Sequence, residues 1–241
     1  MTPTEGRAGL RERGKERRRD QILDSAKTMI RDTGVAGLTM GPLAESAEVS
    51  LATIYNLFGD RAGVLTALVS RVMDDLLQTL DAIDEDDPLE HSRQFIATSV
   101  DYLMSDSAFF RPLVVALAPG ANPGLVGADV VAIRSIVVHA RAIATAVERR
   151  QLRDDLSPEL LGYQVFMGWT TTQTLWGLGV IDDGAFGPFA LYHRAATLLA
   201  VAMPRTRETL LADIAGLEPR LLMSLQTLAQ SWAQPRGAET A

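Results

Sequence analysis

The sequence contains no cysteine among its 241 residues, which excludes a disulfide framework, a thiolate metal site and a cysteine nucleophile. Only three histidines occur, and no two of them stand at the helical spacing of a metal-binding pair. The chain also has neither a Gly-rich phosphate loop nor a Gly-x-Ser-x-Gly nucleophile elbow. These absences argue against an enzyme, and they predict neither a cofactor nor a metal site.

Long apolar runs are also missing. The segment from Leu191 to Met203 is interrupted by His193 and Arg194 and is too short to cross a bilayer. The first residues, Met1 to Arg7, lack the apolar stretch of a secretory signal. We therefore expect a cytoplasmic protein with no membrane partner.

Net charge is distributed unevenly along the chain. Residues 1–65 hold ten Lys/Arg against nine Asp/Glu, a net charge of +1. Since the whole chain has a net charge of −7, residues 66–241 carry −8. Acidic proteins are poor general binders of nucleic acid, so a DNA contact would depend on the cations near the N-terminus. Residues 1–16 have almost no apolar content, and we predict that they form a disordered basic arm. The arm and the following Arg17 and Arg18 either contact phosphates or remain solvated beside the interspersed acidic residues.

Apolar residues at helical spacing predict an all-α fold, and three helices fall within residues 17–65. The first is expected over residues 17–33, and the third ends near Phe58. The helix ends and the start of a fourth helix are indicated by residues that stop or cap helices: Gly34, Thr39, Ser50, Gly59 and Asp60. The second and third helices, joined at Glu48 and Val49, predict a helix-turn-helix.

The third helix offers small and hydroxylated side chains at its N-terminal end. A helix that enters a major groove about 12 Å wide cannot be bulky everywhere at that end. Contacts with base edges are expected from Ser50, Leu51, Ala52 and Thr53. Phosphate contacts are expected from side chains that donate hydrogen bonds: Thr39, Tyr55, Asn56 (which can also reach a base edge) and Arg61. A three-helix cap that never touches DNA is the alternative interpretation.

Residues from about Arg17 to Leu65 resemble the DNA-binding domain of the TetR family of transcriptional regulators. The resemblance rests on the combined spacing of Ile22-Leu23 with Ala26, Gly34, Leu38-Thr39, Leu43-Ala44, Val49-Ser50, Thr53-Ile54-Tyr55, Phe58, and Arg61 with Leu65. It implies a homodimer that binds a palindromic operator in double-stranded DNA and usually represses transcription. It also implies release from DNA when a small molecule enters the C-terminal domain.

Some residues depart from the family pattern. Glu48 stands in the turn where the family usually has glycine, so the backbone is less free and a carboxylate lies close to the DNA. Arg61 replaces a common lysine, and Ala62 and Gly63 replace acidic residues at the start of the fourth helix. The start of that helix is therefore expected to be less well capped.

Residues 66–241 are predicted to form a helical domain for ligand binding and dimerisation, with a flexible loop near residues 119–127. Small-molecule sites commonly combine apolar walls with a few polar groups. The candidate ligand residues with this character are Tyr102, Phe109, Phe110, Met167, Trp169, Thr171, Gln173 and Trp176. A packed core produces the same pattern, so a core role stays open for each aromatic. His139 is expected to be a core or interface histidine.

The resemblance implies a four-helix bundle across a two-fold axis, built from helices at about 158–180 and 186–203. Gly162 and Gly168 would allow close helix approach there. An apolar stripe on the second helix would complete the interface, with Leu191, Ala195, Leu198, Leu199 and Ala202. The tail over residues 206–232 is expected to form one or two helices divided near residues 216–219, which either lengthen the bundle or close the ligand chamber.

Two other interpretations remain. An all-α enzyme would use a pocket within residues 85–241, but the sequence offers it no catalytic motif. A DNA-binding regulator controlled by a protein partner, or one without an effector, fits the same residues as the ligand-responsive repressor.

Overall fold

The computed structural model describes residues 3–118, 121 and 128–233, with side chains for residues 12–118, 121 and 132–230. These residues form helices and no strands, apart from one isolated bridge between Leu152 and Ala202. The helices are α1 (Pro3–Gly37), α2 (Met40–Ser46), α3 (Leu51–Phe58), α4 (Arg61–Asp81), α5 (Pro88–Met104), α6 (Ser107–Ala116), α7 (Ala128–Glu148), α8 (Pro158–Gly177), α9 (Asp183–Leu199) and α10 (Pro204–Ala233). The all-α prediction is confirmed. Most of the predicted loop near residues 119–127 lies outside the described residues.

Backbone contacts divide the chain into two units. The first unit holds α1, α2, α3, most of α4, and α6, whereas the second holds the end of α4, α5 and α7 to α10. Helix α6 thus belongs to the first unit, although the sequence predicts it within the domain 66–241. The domain boundaries after residues 16 and 65 stay predictions.

The core of the first unit is formed by one face of each of its helices. Helix α1 contacts α2 and α6, and α2 contacts α3. The largest of its side chains with less than 2% of their surface exposed are Ile22, Ile30, Leu38, Leu43, Ile54, Leu68, Phe109 and Leu113. Burying each of these side chains stabilises the fold by roughly 1.5–3 kcal/mol. This shared core therefore fixes the position of the short helix α3.

Helix α1 differs from the prediction at both of its ends. It begins at Pro3 instead of following a disordered arm over residues 1–16, because Arg, Glu and Lys are good helix formers. The predicted stop at Gly34 corresponds to a break in the helical dihedral angles, with φ 72° and ψ 174°. Glycine adopts this positive φ without steric cost, and a final turn then leads to Gly37.

The second unit is built around a core shared by α5, α7, α8, α9 and α10. Asp87 caps α5, because one of its carboxylate oxygens accepts hydrogen bonds from the backbone N–H groups of Leu89 and Glu90, each at 2.9 Å. The buried members of the core cluster are Leu89, Ile143, Ala146, Leu152, Leu161, Ala195, Leu198, Val201, Leu210 and Ile214. Ala195 and Leu198, two residues of the apolar stripe predicted for the dimer interface, therefore pack in the core of this chain.

Helix α10 is continuous where the sequence predicts a division near residues 216–219. Proline at position 219 lacks the N–H that would bond to the carbonyl of Ala215. Both residues are exposed, so water can satisfy that carbonyl and the helix continues.

Helix α9 also begins earlier than expected, because the side chain of Asp182 accepts a hydrogen bond from the backbone N–H of Ala185 at 2.9 Å. In the described part of the chain, no helix combines the length and apolarity that a membrane span requires.

Candidate nucleic-acid interface

Helices α2 and α3 are joined by a tight turn at Glu48 and Val49. Leu43 of α2 is fully buried, and the backbone N–H of Val49 donates to the carbonyl of Ala44 at 3.0 Å. Glu48 has a φ of 51°, the left-handed region that glycine adopts freely and that costs other residues about 1–2 kcal/mol. The turn therefore keeps the geometry of a glycine turn while it carries an exposed carboxylate.

The start of α3 is capped as the sequence predicts. The Ser50 hydroxyl accepts a hydrogen bond from the backbone N–H of Thr53 at 3.1 Å. The hydroxyl groups of Ser50 and Thr53 also lie 2.8 Å apart and share a hydrogen bond. Capping of this kind contributes about 1 kcal/mol. The two hydroxyl groups therefore form one polar pair at the N-terminus of α3.

The remaining residues of α3 divide between an inward and an outward face. Ile54 is fully buried, whereas Leu51 and Tyr55 are 43% and 48% exposed. Ala52 and Asn56 are also exposed, and Thr53 is half-buried. An exposed leucine and an exposed tyrosine beside small and polar groups suit a surface that meets a partner. The structure thus brings the α3 residues predicted to contact DNA onto one accessible surface.

Arg61 makes contacts that the sequence did not indicate. Its Nε donates to the carbonyl of Leu38 at 2.7 Å, and its Nη2 donates to the carbonyl of Val35 at 2.6 Å. Helix ends leave carbonyls without partners in the helix, so Arg61 satisfies two such groups at the end of α1. Its side chain therefore fixes α4 to the end of α1, and its predicted phosphate contact stays a prediction.

The other predicted phosphate contacts lie on the surface. Thr39 precedes α2 and is exposed, and its side chain makes no capping hydrogen bond. Arg17 and Arg18 are exposed on α1 and form no ion pair within the described residues. Arg19 instead stands over the ring of Phe58, 4.7 Å from its centroid, in a cation–π contact. The guanidinium groups of Arg17 and Arg18 are therefore accessible to a polyanion.

Helix α4 begins where Asp60 caps it, as predicted, since its carboxylate accepts a hydrogen bond from the backbone N–H of Gly63 at 2.8 Å. A methyl group on Gly63 would collide with the backbone carbonyl of Phe58 at the end of α3. We expect Gly63→Ala to lower the free energy of unfolding by about 1–3 kcal/mol, because this overpacking pushes α3 and α4 apart. Urea denaturation measures the change.

The control for this substitution is Gly41→Ala. Gly41 is exposed in α2, and a methyl group added there would have no neighbour within 4 Å. We expect it to raise the free energy of unfolding by about 0.5–1 kcal/mol, since alanine favours a helix over glycine. Equal stability of the two variants would show that the approach of Gly63 to Phe58 is not tight.

Two of the predicted ligand residues, Phe109 and Phe110, belong to the first unit. Both are buried, and their rings meet edge to face with centroids 4.9 Å apart. The ammonium group of Lys27 lies 5.0 Å from the Phe109 centroid, and it also pairs with Asp106 at 3.1 Å. A hydrogen-bonded ion pair with the Arg31 guanidinium, helped by Lys27, lowers the pKa of the Asp106 carboxyl below its ordinary value. These contacts attach α6 to α1.

The predicted ligand residues of α8 point in different directions within the second unit. Trp176 is fully buried, and its ring stacks on Phe186 of α9 at 4.6 Å between centroids. Trp169 stacks on the same phenylalanine at 5.6 Å. Met167 and Thr171, in contrast, are exposed. Helical periodicity separates these positions, so they do not share one face. Gln173 on α8 and Tyr102 on α5 are half-buried, and the ligand role of the whole set stays a prediction.

The exposed side of α8 carries a stripe of large apolar residues beside the polar Glu159, Gln164 and Thr171. The large apolar residues at helical spacing before and along it are Leu156, Leu160, Tyr163 and Met167, with exposures of 49%, 68%, 44% and 40%. Gly162 and Gly168, predicted to serve the dimer interface, instead lie inside the protomer against Ala140 of α7 and His193 of α9. Ala195 and Leu198 of the predicted stripe are likewise buried in the protomer.

His139 is a buried core residue, as expected from the sequence. Only 1% of its surface is exposed, and its Nδ1 shares a hydrogen bond with the Ser92 hydroxyl at 3.0 Å. The ring of Phe95 meets it edge to face. Burial, with a smaller effect from the charge of Arg194, lowers the pKa of His139 to about 3. This histidine is neutral at physiological pH.

Helices α2 and α3 form a helix-turn-helix, a motif with which many regulatory proteins bind DNA. Residues 22–68 match the family described as bacterial regulatory proteins, tetR family. Over 90 residues the chain is 32% identical to the HTH-type transcriptional regulator BetI of Paraburkholderia phytofirmans; the match covers 36% of this chain and 46% of that relative. The N-terminal helix-turn-helix segment therefore matches the TetR family of bacterial regulatory proteins, and the chain spans less than half the length of this curated relative.

Solved structures extend the likeness beyond the N-terminal segment to most of the fold. SmeT, described as the repressor of the Stenotrophomonas maltophilia multidrug efflux pump SmeDEF, matches with a TM-score of 0.62 at 21% identity. That match covers 77% of this chain and 91% of SmeT. A structure of the SmeT–triclosan complex matches with a TM-score of 0.60 at 21% identity, over 78% of this chain and 92% of that one. This chain shares with them an N-terminal helix-turn-helix domain followed by a helical domain.

Proposed function

We propose that this protein is a homodimeric repressor that places two copies of α3 in successive major grooves of a palindromic operator. The observation that carries the proposal is the outward face of α3, which presents small and polar groups while Ile54 fixes the helix to the core. Two recognition helices must stand about one DNA turn apart, on the order of 34–36 Å, to occupy both half-sites. A two-fold dimer provides that spacing.

The exposed apolar face of α8 supports the dimer. Leu160 is 68% exposed, and Tyr163 and Met167 follow it on the same side of the helix. A contiguous apolar surface of this kind is costly to leave in water and is typical of protein–protein contacts. An isologous two-fold contact would bury the same residues on both copies.

A small, largely apolar ligand is proposed to release the protein from DNA. The complex of SmeT with triclosan supports this, because its fold resembles that of the present chain. A ligand acts on DNA binding if it prefers one separation of the two recognition helices over another. The proposed response is therefore a shift between two dimer populations.

Sequencing the DNA captured by the purified protein identifies the operator, and two variants then test the roles of α3. We expect Tyr55→Phe to weaken binding about tenfold on every sequence, because the lost hydroxyl is assigned to a phosphate. We expect Thr53→Ala to change the preferred sequence, because its hydroxyl, paired with that of Ser50, is assigned to base edges. Fluorescence anisotropy with a panel of operator variants measures both.

An equal loss on all sequences for Thr53→Ala would contradict the base-edge role. Capture of no preferred sequence would contradict the operator itself. Titrating the protein–operator complex with fractions of cell extract tests the ligand response. Persistent binding with every small-molecule fraction would favour control by a protein partner.

A further inference from the structure

Arg194 in α9 is a buried cation whose hydrogen bonds are incomplete. Only 3% of its surface is exposed. Its Nε donates to the Ser92 hydroxyl at 3.0 Å, and its Nη2 donates to the backbone carbonyl of Leu89. Its Nη1 makes no hydrogen bond with the described residues. A guanidinium group carries five N–H donors, so part of its capacity is left for another acceptor.

No carboxylate of the described residues forms an ion pair with Arg194. Among the carboxylates, Glu90 does most to raise the pKa of Arg194. Its two oxygens, however, accept hydrogen bonds from Arg93 at 2.7 and 2.5 Å. Asp213 and Asp87 contribute more weakly, and Arg93 opposes them. Burial lowers the pKa of Arg194 to about 10, so the group remains charged at neutral pH. Buried charges are normally paired, because desolvation without a counter-ion is costly.

A cavity of about 160 Å³ lies beside this guanidinium. Its walls come from α5, α9 and α10, and they consist of Arg93, Leu191, Arg194, Ala195, Asp213 and Leu217. The volume is close to that of an engineered apolar cavity that admits benzene, roughly 150 Å³. Three of the six residues are apolar, two are the cations Arg93 and Arg194, and the sixth is the exposed acid Asp213. None of the ligand residues predicted from the sequence lines it.

We propose that this cavity binds a small organic acid whose carboxylate pairs with Arg194 and whose apolar body contacts Leu191, Ala195 and Leu217. The guanidinium group presents planar donors that match the two oxygens of a carboxylate. The apolar walls favour a compact hydrocarbon body over inorganic phosphate. The proposal rests on the proposed function, since it names the chemical class of the effector. It also gives α10 a role, because that helix supplies one wall of the site.

Benzoate and its uncharged analogue benzamide test the site on the full-length protein. Isothermal titration calorimetry without DNA is expected to show benzoate binding at least about tenfold more tightly than benzamide, because only benzoate completes the ion pair. Equal affinities, or no binding of benzoate at millimolar concentration, would overturn the proposal.

Asp213→Asn provides a variant that is not expected to disturb folding, because Asp213 is exposed. Removing this carboxylate from the rim is expected to tighten benzoate binding roughly threefold to tenfold, since like charges repel. The matched control is Glu208→Gln, an exposed acid on the same helix that does not line the cavity. It should leave the affinity unchanged, and equal effects of the two variants would count against the site.

Leu217→Trp fills the cavity from α10 and should reduce benzoate binding more than tenfold while far-UV circular dichroism stays unchanged. Operator binding without ligand is measured separately on the unsubstituted protein. If the unsubstituted protein binds the operator but not benzoate, the organic-acid site is wrong and the proposed regulator stands. If benzoate binds as described but no operator is found, the site stands and the proposed function fails.

Discussion

Replacing Ala52 with glutamate is expected to weaken binding of the protein to its proposed operator about a hundredfold. Ala52 lies on the exposed face of α3 between Leu51 and Thr53, where the proposed complex places the floor of a major groove. A carboxylate there loses its water and approaches the phosphates, and like charges brought together across an interface cost several kcal/mol. We expect the operator Kd to rise by about a hundredfold or more, on the order of 3 kcal/mol. Fluorescence anisotropy at fixed salt concentration measures it.

The matched control is Ala62→Glu. Ala62 is also exposed, but it lies in the first turn of α4, where a negative charge interacts favourably with the helix N-terminus. This variant adds the same charge to the same unit, and we expect a change of less than about fivefold. Comparable losses for both variants would mean that total charge, rather than the face of α3, controls binding.

Replacing Leu160 with glutamate is expected to weaken the proposed dimer about a hundredfold. Leu160 is the most exposed of the apolar residues along α8, and an isologous contact brings each copy of it into the interface. Two buried carboxylates without partners would cost several kcal/mol. We expect the dimer Kd to rise by about a hundredfold, and operator affinity to fall about as much because the two half-sites are no longer bound together. Analytical ultracentrifugation and anisotropy measure the two effects.

Leu222→Glu on α10 is the control for this prediction. Leu222 is 56% exposed, so the substitution removes a similar apolar surface at another place. It should leave both the dimer and operator affinity unchanged. A Leu160→Glu protein that still sediments as a dimer would place the subunit contact elsewhere.

Local signals explain why the helix starts and the DNA-facing side of α3 were predictable. The caps Ser50, Asp60 and Asp87 each bond to a backbone N–H two or three residues further on, and that relation is visible in the sequence. The periodic apolar residues of α1 and α3 indicate which sides are buried. The short α3 has a single fully buried residue, Ile54, so its opposite face follows from helical geometry.

Tertiary contacts explain most of what the sequence could not predict. Arg61 bonds to carbonyls more than twenty residues away, and Gly162 meets a backbone on another helix. Neither partner leaves a local pattern. Helix α8 has apolar residues on both its buried and its exposed sides, so periodicity alone could not separate core, interface and ligand positions. Arg194 interrupts an apolar run, which is a sequence signal of a buried polar group. Its cavity could not be predicted in the same way, because α10 supplies one of the walls.

The aromatic stack of Trp169, Trp176 and Phe186 makes tryptophan emission a selective reporter. All three tryptophans of the chain occur between residues 169 and 232, so the first unit contributes no tryptophan fluorescence. Far-UV circular dichroism follows the helices of both units. During chemical denaturation, two curves that coincide indicate a single cooperative transition, whereas curves that separate show that the first unit melts independently of the second.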